Sequence, residues 1–269
     1  MSRVECTIRD GIADVRLNRP EKLNALDHPM FAAIDEIGEE LKRASGVRAV
    51  VLSGNGRGFC AGLDLSEFRT MGEHPADGDQ DDSGDPVRIK PGRTTHTGQH
   101  ICWVWQEIQV PVIAAVHGPA YGGGMQLALG ADIRIIAPDT VMRMMEVNWG
   151  LVPDQTGTVT LSRLLRPDHA LEIAATGRPV EAEEAVRIGL ASRISTTPRE
   201  DALRLATTIA QQSPDAVRAT KHLLKHARTA TDEDQFAEER TVIQALIGTA
   251  NQHEAAAARL EHRLPAFVD

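Results

Sequence analysis

Strand-like runs alternate with helix-period segments over the first half of the chain, and an unbroken series of helical segments follows; together they predict an α/β fold with a helical C-terminal region. The run 47–52 reads as a buried strand, and 111–116 as a strand with both faces apolar. With 269 residues, 42% of them hydrophobic, the chain is long enough for one good-sized core, or for a core plus a small appended domain.

Residues 3–18 read as two short strands turning at Asp10-Gly11, a dipeptide suited to the positive φ of a tight hairpin. Asn18-Arg19-Pro20 ends the second strand. From 29 to 42, Phe31, Ile34, Ile37 and Leu41 recur at helical spacing. The buried strand at 47–52 is stopped by Ser53-Gly54-Asn55-Gly56.

Residues 70–99 have a different composition. Glu73, Asp77, Asp79, Asp81, Asp82 and Asp85 stand among Gly, Pro and Ser with almost no large apolar side chains. Such a stretch buries too little surface to offset its ordering entropy, so a mobile surface loop is expected, with a lid near the active site as the sharper reading.

A helix at 98–109 leads into the strand at 111–116. Gly118 and Gly122-Gly123-Gly124 follow, and a short helix is expected to begin near Met125. A strand at 132–137 and an extended piece at 141–145 come next. Beyond 153 the helical segments are 156–166, 168–176, 181–188, 199–212, 214–228, 232–248 and 251–261, with one late strand at 190–195. A division near Thr197-Pro198 separates a core over 1–197 from a helical region over 198–269.

Composition narrows the functional classes. A net charge of −9 argues against a nucleic-acid partner held through phosphate contacts. A local basic patch for an anionic ligand stays compatible with it. Cys6, Cys60 and Cys102 have neither paired nor metal-ligand spacing, which suits a reducing compartment. The start lacks the apolar run of a signal peptide, and no apolar stretch approaches the ~20 residues of a membrane span. A cytoplasmic protein without a membrane partner is expected.

Gly122-Gly123-Gly124, between a strand and a helix, is a place where backbone amides can point at a ligand, since glycine leaves no side chain in the way and a helix N-terminus adds unpaired N–H groups. A tight turn without a ligand is the alternative. Gly54-Asn55-Gly56-Arg57-Gly58 invites comparison with a dinucleotide loop and fails it, because position 59 is Phe; no P-loop signature follows either.

Three segments read together are more specific: Asn18-Arg19-Pro20 with Asn24-Ala25-Leu26; Gly58-Phe59-Cys60-Ala61-Gly62-Leu63-Asp64-Leu65; and 111–118 running through Gly122-Gly123-Gly124 to Ala131-Asp132-Ile133-Arg134. Their order and spacing resemble the enoyl-CoA hydratase/isomerase (crotonase) superfamily. Thr176-Gly177-Arg178 and Ala185 with Gly189-Leu190 extend the likeness, which covers nearly all of the chain outside 70–99.

The resemblance implies a crotonase-like spiral of β-β-α repeats with C-terminal helices that build a homotrimer or hexamer. It implies an acyl-CoA thioester as substrate, with coenzyme A entering only as part of that substrate; no metal is expected, since no His/Cys/Asp/Glu group has metal-site spacing. The N–H groups of Leu63 and Gly123 would form an oxyanion hole for the thioester oxygen, where fixed donors stabilise the charge of an enolate. Lys22, Leu23, Ala61 and Leu65 would line the coenzyme A groove, and Arg263 is a weaker candidate for its phosphates.

Hydratases of this family carry two glutamates, one two residues after the glycines and one twenty residues further on. Here these positions are Gln126 and Glu146, so one of the pair is missing. Gln can orient water or substrate but cannot take a proton at neutral pH. Glu146 lies in the otherwise apolar stretch 141–149, surroundings that would raise its pKa and suit it to proton transfer. Asp154, eight residues on, matches a position at which some isomerases of the family carry Asp; capping the helix at 156–166 is its structural alternative.

Cys60 lacks a base placed to activate it and reads as packing. His117 is expected under the turn, and Asp64 as ordering the oxyanion loop. Trp103 and Trp105 stay open between pocket wall, core and subunit contact. The expectation is thus an enolate-stabilising acyl-CoA enzyme, with Glu146 as acid/base, Asp154 as a second proton carrier, and hydration slowed by Gln126. The alternatives are a true enoyl-CoA hydratase, a dienoyl-CoA isomerase-like enzyme using Glu146 and Asp154, and a non-catalytic acyl-CoA-binding protein.

Overall fold

The computed structural model describes residues 2–70 and 89–269; within the expected loop over 70–99, positions 71–88 with their acidic run lie outside the described residues. The chain opens with the hairpin of β1 (Val4–Arg9) and β2 (Ile12–Leu17), turning on Asp10 and Gly11 at φ 51° and 75°. Helix α1 (His28–Arg43) follows. Asp27 caps it by accepting from the Met30 N–H at 2.9 Å, and Met30, Ile34 and Leu41 form its buried face. Strand β3 (Ala49–Gly54) and a short helix α2 (Leu65–Thr70) come next.

Helix α3 (Thr97–Glu107) starts at a capping box between His96 and Gln99. Just before it, Lys90 and Arg93 each bond Asp35 of α1 at 2.8 Å, so the end of the expected mobile loop is tied to a helix. Then come β4 (Val112–Val116), β5 (Pro119–Tyr121), α4 (Gly123–Gly130), β6 (Ile133–Ile136) and β7 (Val141–Arg143). Helix α4 begins at Gly123 rather than near Met125, so the glycines are its first turn. The rest comprises α5 (Gly157–Leu164), α6 (Pro167–Thr176), β8 (Val180–Glu181), α7 (Ala182–Ile188), β9 (Arg193–Ile194), α8 (Pro198–Ala210), α9 (Pro214–His226), α10 (Asp232–Leu246) and α11 (Ala250–Leu260).

The strands stack in two columns. The first is β1-β2-β3-β4-β6-β9, parallel from β2 onward. In the second, Leu26 bridges Leu63, Cys60 bridges Ala120 of β5, and β5 pairs with β7, which pairs with β8. Each turn of chain thus adds one strand to each column before a helix or loop returns it, which is a spiral of β-β-α turns. The strands β5 and β8, of three and two residues, were too short to leave a periodic signal.

The main core fills the spiral with Leu17, Leu52, Trp105, Ile108, Met125 and Leu127, all 2% exposed or less. A smaller core lies under α8, where Ala202 and Ala206 meet Val51, Ile113 and Ile135. Trp105 belongs to the main core and donates to the Ile101 carbonyl at 2.8 Å.

A buried lysine latches the C-terminal helices to the sheet. Lys221 of α9 donates to the Val110 carbonyl at 2.9 Å and to Asp132 at 2.6 Å. The same Asp132 oxygen accepts from the Val112 N–H at 2.8 Å. Among the described residues, no helix is long and apolar enough to cross a membrane.

Candidate active site

The segment 60–64 runs between two neighbours, and this sets where its amides point. Cys60 exchanges bonds with β5, while the Gly62 carbonyl and the Asp64 N–H bond Leu26 at 2.8 and 2.9 Å. In a parallel bridge of this kind the N–H of the bridging residue, Leu63, is turned away from Leu26. Gly123 opens α4, so its N–H has no acceptor within the helix. Neither N–H donates to a protein acceptor among the described residues.

The two segments are packed so closely that side chains would separate them. Gly62 sits at φ 86°, and a Cβ there would lie 2.5 Å from the Tyr121 carbonyl and 3.6 Å from the Gly123 nitrogen. A Cβ on Gly124 would collide with the Cys60 carbonyl. Two unpaired N–H groups held together by backbone contact can accept an oxygen that gains negative charge during reaction, with little reorganisation.

Asp64 stiffens this loop, as the sequence suggested. The Ser66 N–H and hydroxyl and the Arg19 guanidinium, which approaches to 2.5 Å, hold its carboxyl at about 2 against the opposing effect of burial. Asn24, fully buried, clamps the same region by donating to the carbonyls of Asn55 and Gly58 at 2.9 Å. Cys60 is inert here. Burial pushes its thiol up to about 12, and its Sγ donates to the Asn24 carbonyl. His117 bonds the Gly56 carbonyl through Nε2 at 2.9 Å, in the turn where it was expected.

Of the coenzyme A candidates, Leu23 and Ala61 are joined by a bond from the Ala61 N–H to the Leu23 carbonyl at 2.9 Å. Lys22 is exposed beside them, and Leu65 is 64% exposed just past Asp64. Arg263 is paired with Glu254 at 2.6 Å and Glu261 at 2.7 Å.

Gln126 and Glu146 come together despite the twenty residues between them. Gln126 lies on α4 and is 1% exposed; Glu146 opens a 3-10 turn, Glu146–Trp149. The Gln126 Oε1 accepts from the N–H groups of Gln155 and Gly157, both at 2.9 Å, which leaves Nε2 to donate to Glu146 Oε1 at 2.6 Å. Gln126 therefore orients Glu146.

The other carboxylate oxygen, Glu146 Oε2, is buried and has no partner among the described residues. Burial raises the Glu146 pKa; hydrogen bonds from its own N–H and from Gln126 oppose that rise, and the nearby Asp154 charge adds to it. The carboxylate also reaches the glycine loop, since a Cβ on Gly122 would lie 3.3 Å from Oε1.

Asp154 does not cap α5. The N-cap is Thr156, whose side chain makes no capping bond, and the first amide of that helix, that of Gly157, donates to Gln126 instead. Asp154 is exposed and lines a cleft of about 280 Å³ together with Trp103 and Thr156. Thr156 has φ 68°, uncommon for a β-branched residue, and its hydroxyl is buried without a partner among the described residues. Sequence reading missed Thr156 because nothing in the residue type signals a left-handed backbone.

A second cluster was also missed, because its members lie far apart in the chain. Ligand atoms of Glu39, His100 and Glu107 lie within 4.8 Å of one another. Lys42 already bonds Glu39 at 3.0 Å and Glu107 at 2.6 Å, so an ammonium supplies the positive charge there.

Known proteins resemble this chain over nearly its whole length. Residues 7–269 match the sequence profile of the family described as Enoyl-CoA hydratase/isomerase. A probable enoyl-CoA hydratase of Mycobacterium tuberculosis is 35% identical over 268 residues, covering 97% of this chain and 90% of that protein. A crystal structure of an enoyl-CoA hydratase from Polaromonas superposes with a TM-score of 0.86 at 28% identity, covering 98% of this chain and 99% of the other. Another, from Mycobacterium tuberculosis, gives 0.85 at 29% identity over 100% and 99% of the two chains. The chain belongs to the enoyl-CoA hydratase/isomerase family, with that family's crotonase fold.

Proposed function

We propose that this enzyme forms an enolate from a coenzyme A thioester, with Glu146 Oε2 carrying the proton and the N–H groups of Leu63 and Gly123 holding the thioester oxygen. The observation that carries this reading is the asymmetry of Glu146. Oε1 is fixed by Gln126 and lies beside the glycine loop, while Oε2 is buried without a partner among the described residues. A carboxylate whose basicity is raised by burial is matched to abstracting or returning a proton near neutral pH. Two fixed N–H donors lower the barrier by stabilising the enolate oxygen, and losing one such donor typically costs about 3–4 kcal/mol.

Gln126 has no proton to exchange at neutral pH, so the second acid/base group that hydration uses is absent from its position. This favours proton relocation over efficient water addition. Asp154 is near enough to influence Glu146 electrostatically and is exposed at a cleft. That supports an isomerase-like division of labour in which Glu146 takes a proton from one carbon and Asp154 delivers one to another. Lys22, Leu23, Ala61 and Leu65 would flank the coenzyme A arm, and the active form would be a homotrimer or hexamer in the cytoplasm.

The test is solvent exchange. Purified enzyme in deuterated water should exchange the α-protons of a saturated acyl-CoA, and Glu146→Ala should abolish the exchange. Crotonyl-CoA should be hydrated slowly. Exchange that survives Glu146→Ala would remove Glu146 as the base, and binding without any exchange would favour a non-catalytic acyl-CoA-binding protein.

A further inference from the structure

The cleft shared with Asp154 carries information about the acyl group. At about 280 Å³ it lies just below the ~300–1,000 Å³ usual for whole ligand sites, so it suits a short group rather than a long chain. Five of its nine lining residues bear a hydroxyl or a carboxamide. Thr95 is already bonded to His100 at 3.1 Å. Gln99 uses its Oε1 to accept from the His96 N–H, and its amide nitrogen has no acceptor among the described residues. Thr94 and Thr158 line the cleft and are exposed, and their hydroxyls have no hydrogen-bond partner among the described residues.

Trp103 contributes the largest apolar surface of the cleft. The Arg163 guanidinium sits 5.6 Å from its ring centroid, and its indole N–H has no acceptor among the described residues. An alkyl chain laid here would strip water from these donors and return nothing, whereas a group carrying an oxygen would satisfy them. Asp154 at the same cleft disfavours a group that is itself negatively charged.

Resting on the acyl-CoA reading above, we infer that the preferred substrates carry a short, uncharged acyl group with a distal hydroxyl or carbonyl oxygen, held by Thr94, Gln99, Thr158 and Trp103. Sites built to hydrogen-bond a substrate oxygen discriminate strongly against analogues that lack it.

The experiment compares three six-carbon saturated thioesters by titration calorimetry with the purified full chain: hexanoyl-CoA, 6-hydroxyhexanoyl-CoA, and the analogue ending in a carboxylate. The hydroxylated ligand should bind at least about tenfold more tightly than the other two. Thr94→Val combined with Thr158→Val should bring hydroxylated and plain ligands to within about twofold of each other. If hexanoyl-CoA binds as well as the hydroxylated ligand, or the carboxylate binds best, the inference falls while the acyl-CoA reading stands. Full retention of the preference in the double variant would also overturn it. If no thioester binds, both readings fail together.

Discussion

At Glu146 the two carboxylate oxygens occupy different surroundings, and the difference is testable at neutral pH. Burial raises the pKa of this group, so the folded state favours its protonated form. The stability it contributes is present below the unfolded glutamate pKa and is lost as pH rises through the folded one. Glu146→Gln should therefore melt at a higher temperature than the parent at pH 7, with the gap closing in acid; thermal scans across pH check this. The same variant should lose about 10²–10⁴-fold in α-proton exchange. Gln126→Glu tests the missing partner. Its acceptor bonds from Gln155 and Gly157 suit a carboxylate, and the carboxylate pair would share a proton at this spacing. Crotonyl-CoA hydration should rise at least about tenfold, and an unchanged rate would mean Gln126 is not what limits it. Both residues were legible from their offsets after the glycines. The lock between them was not, since it depends on backbone amides 29 and 31 residues further on.

Helix α5 illustrates how an element can borrow its N-terminus from another. Thr156 is in a left-handed conformation and makes no capping bond, so Gln126 of α4 satisfies the amides of Gln155 and Gly157. Gln126→Met should leave two buried N–H groups unpaired and cost about 1–3 kcal/mol, with faster hydrogen exchange at those two amides. A loss confined to activity, with exchange unaltered, would refute the capping role. Helix phases were readable here because side chains such as Phe31, Ile34, Ile37 and Leu41 repeat every three or four residues. Caps were less so. Asp27 and His96 follow local rules, whereas α5 is capped through the tertiary fold.

Across the whole molecule, the spiral was reached from motif order, while the pairing of its second column was not. That column rests on single bridges at Leu63 and Cys60 and on strands of two or three residues, which carry no period of their own. Helix α10 has no buried residue, and Phe236, Ile243 and Ile247 are exposed at helical spacing at its end of the chain. Burying such a stripe between subunits would remove apolar surface from water. Light scattering should report a trimer or hexamer, and Ile243→Glu should lower the mass. A parent protein that elutes as a monomer would contradict the expected assembly.

The latch at Lys221 makes the docking of α9 visible to chemistry. Its ammonium is enclosed by the Val110 carbonyl and Asp132, and burial lowers its pKa. An amine-reactive reagent should modify exposed Lys22 within minutes and leave Lys221 untouched while α9 is seated. The rate at which Lys221 acquires label, read by peptide mass spectrometry, then becomes a clock for undocking of the helix. Denaturant at concentrations too low to unfold the sheet should speed that clock first.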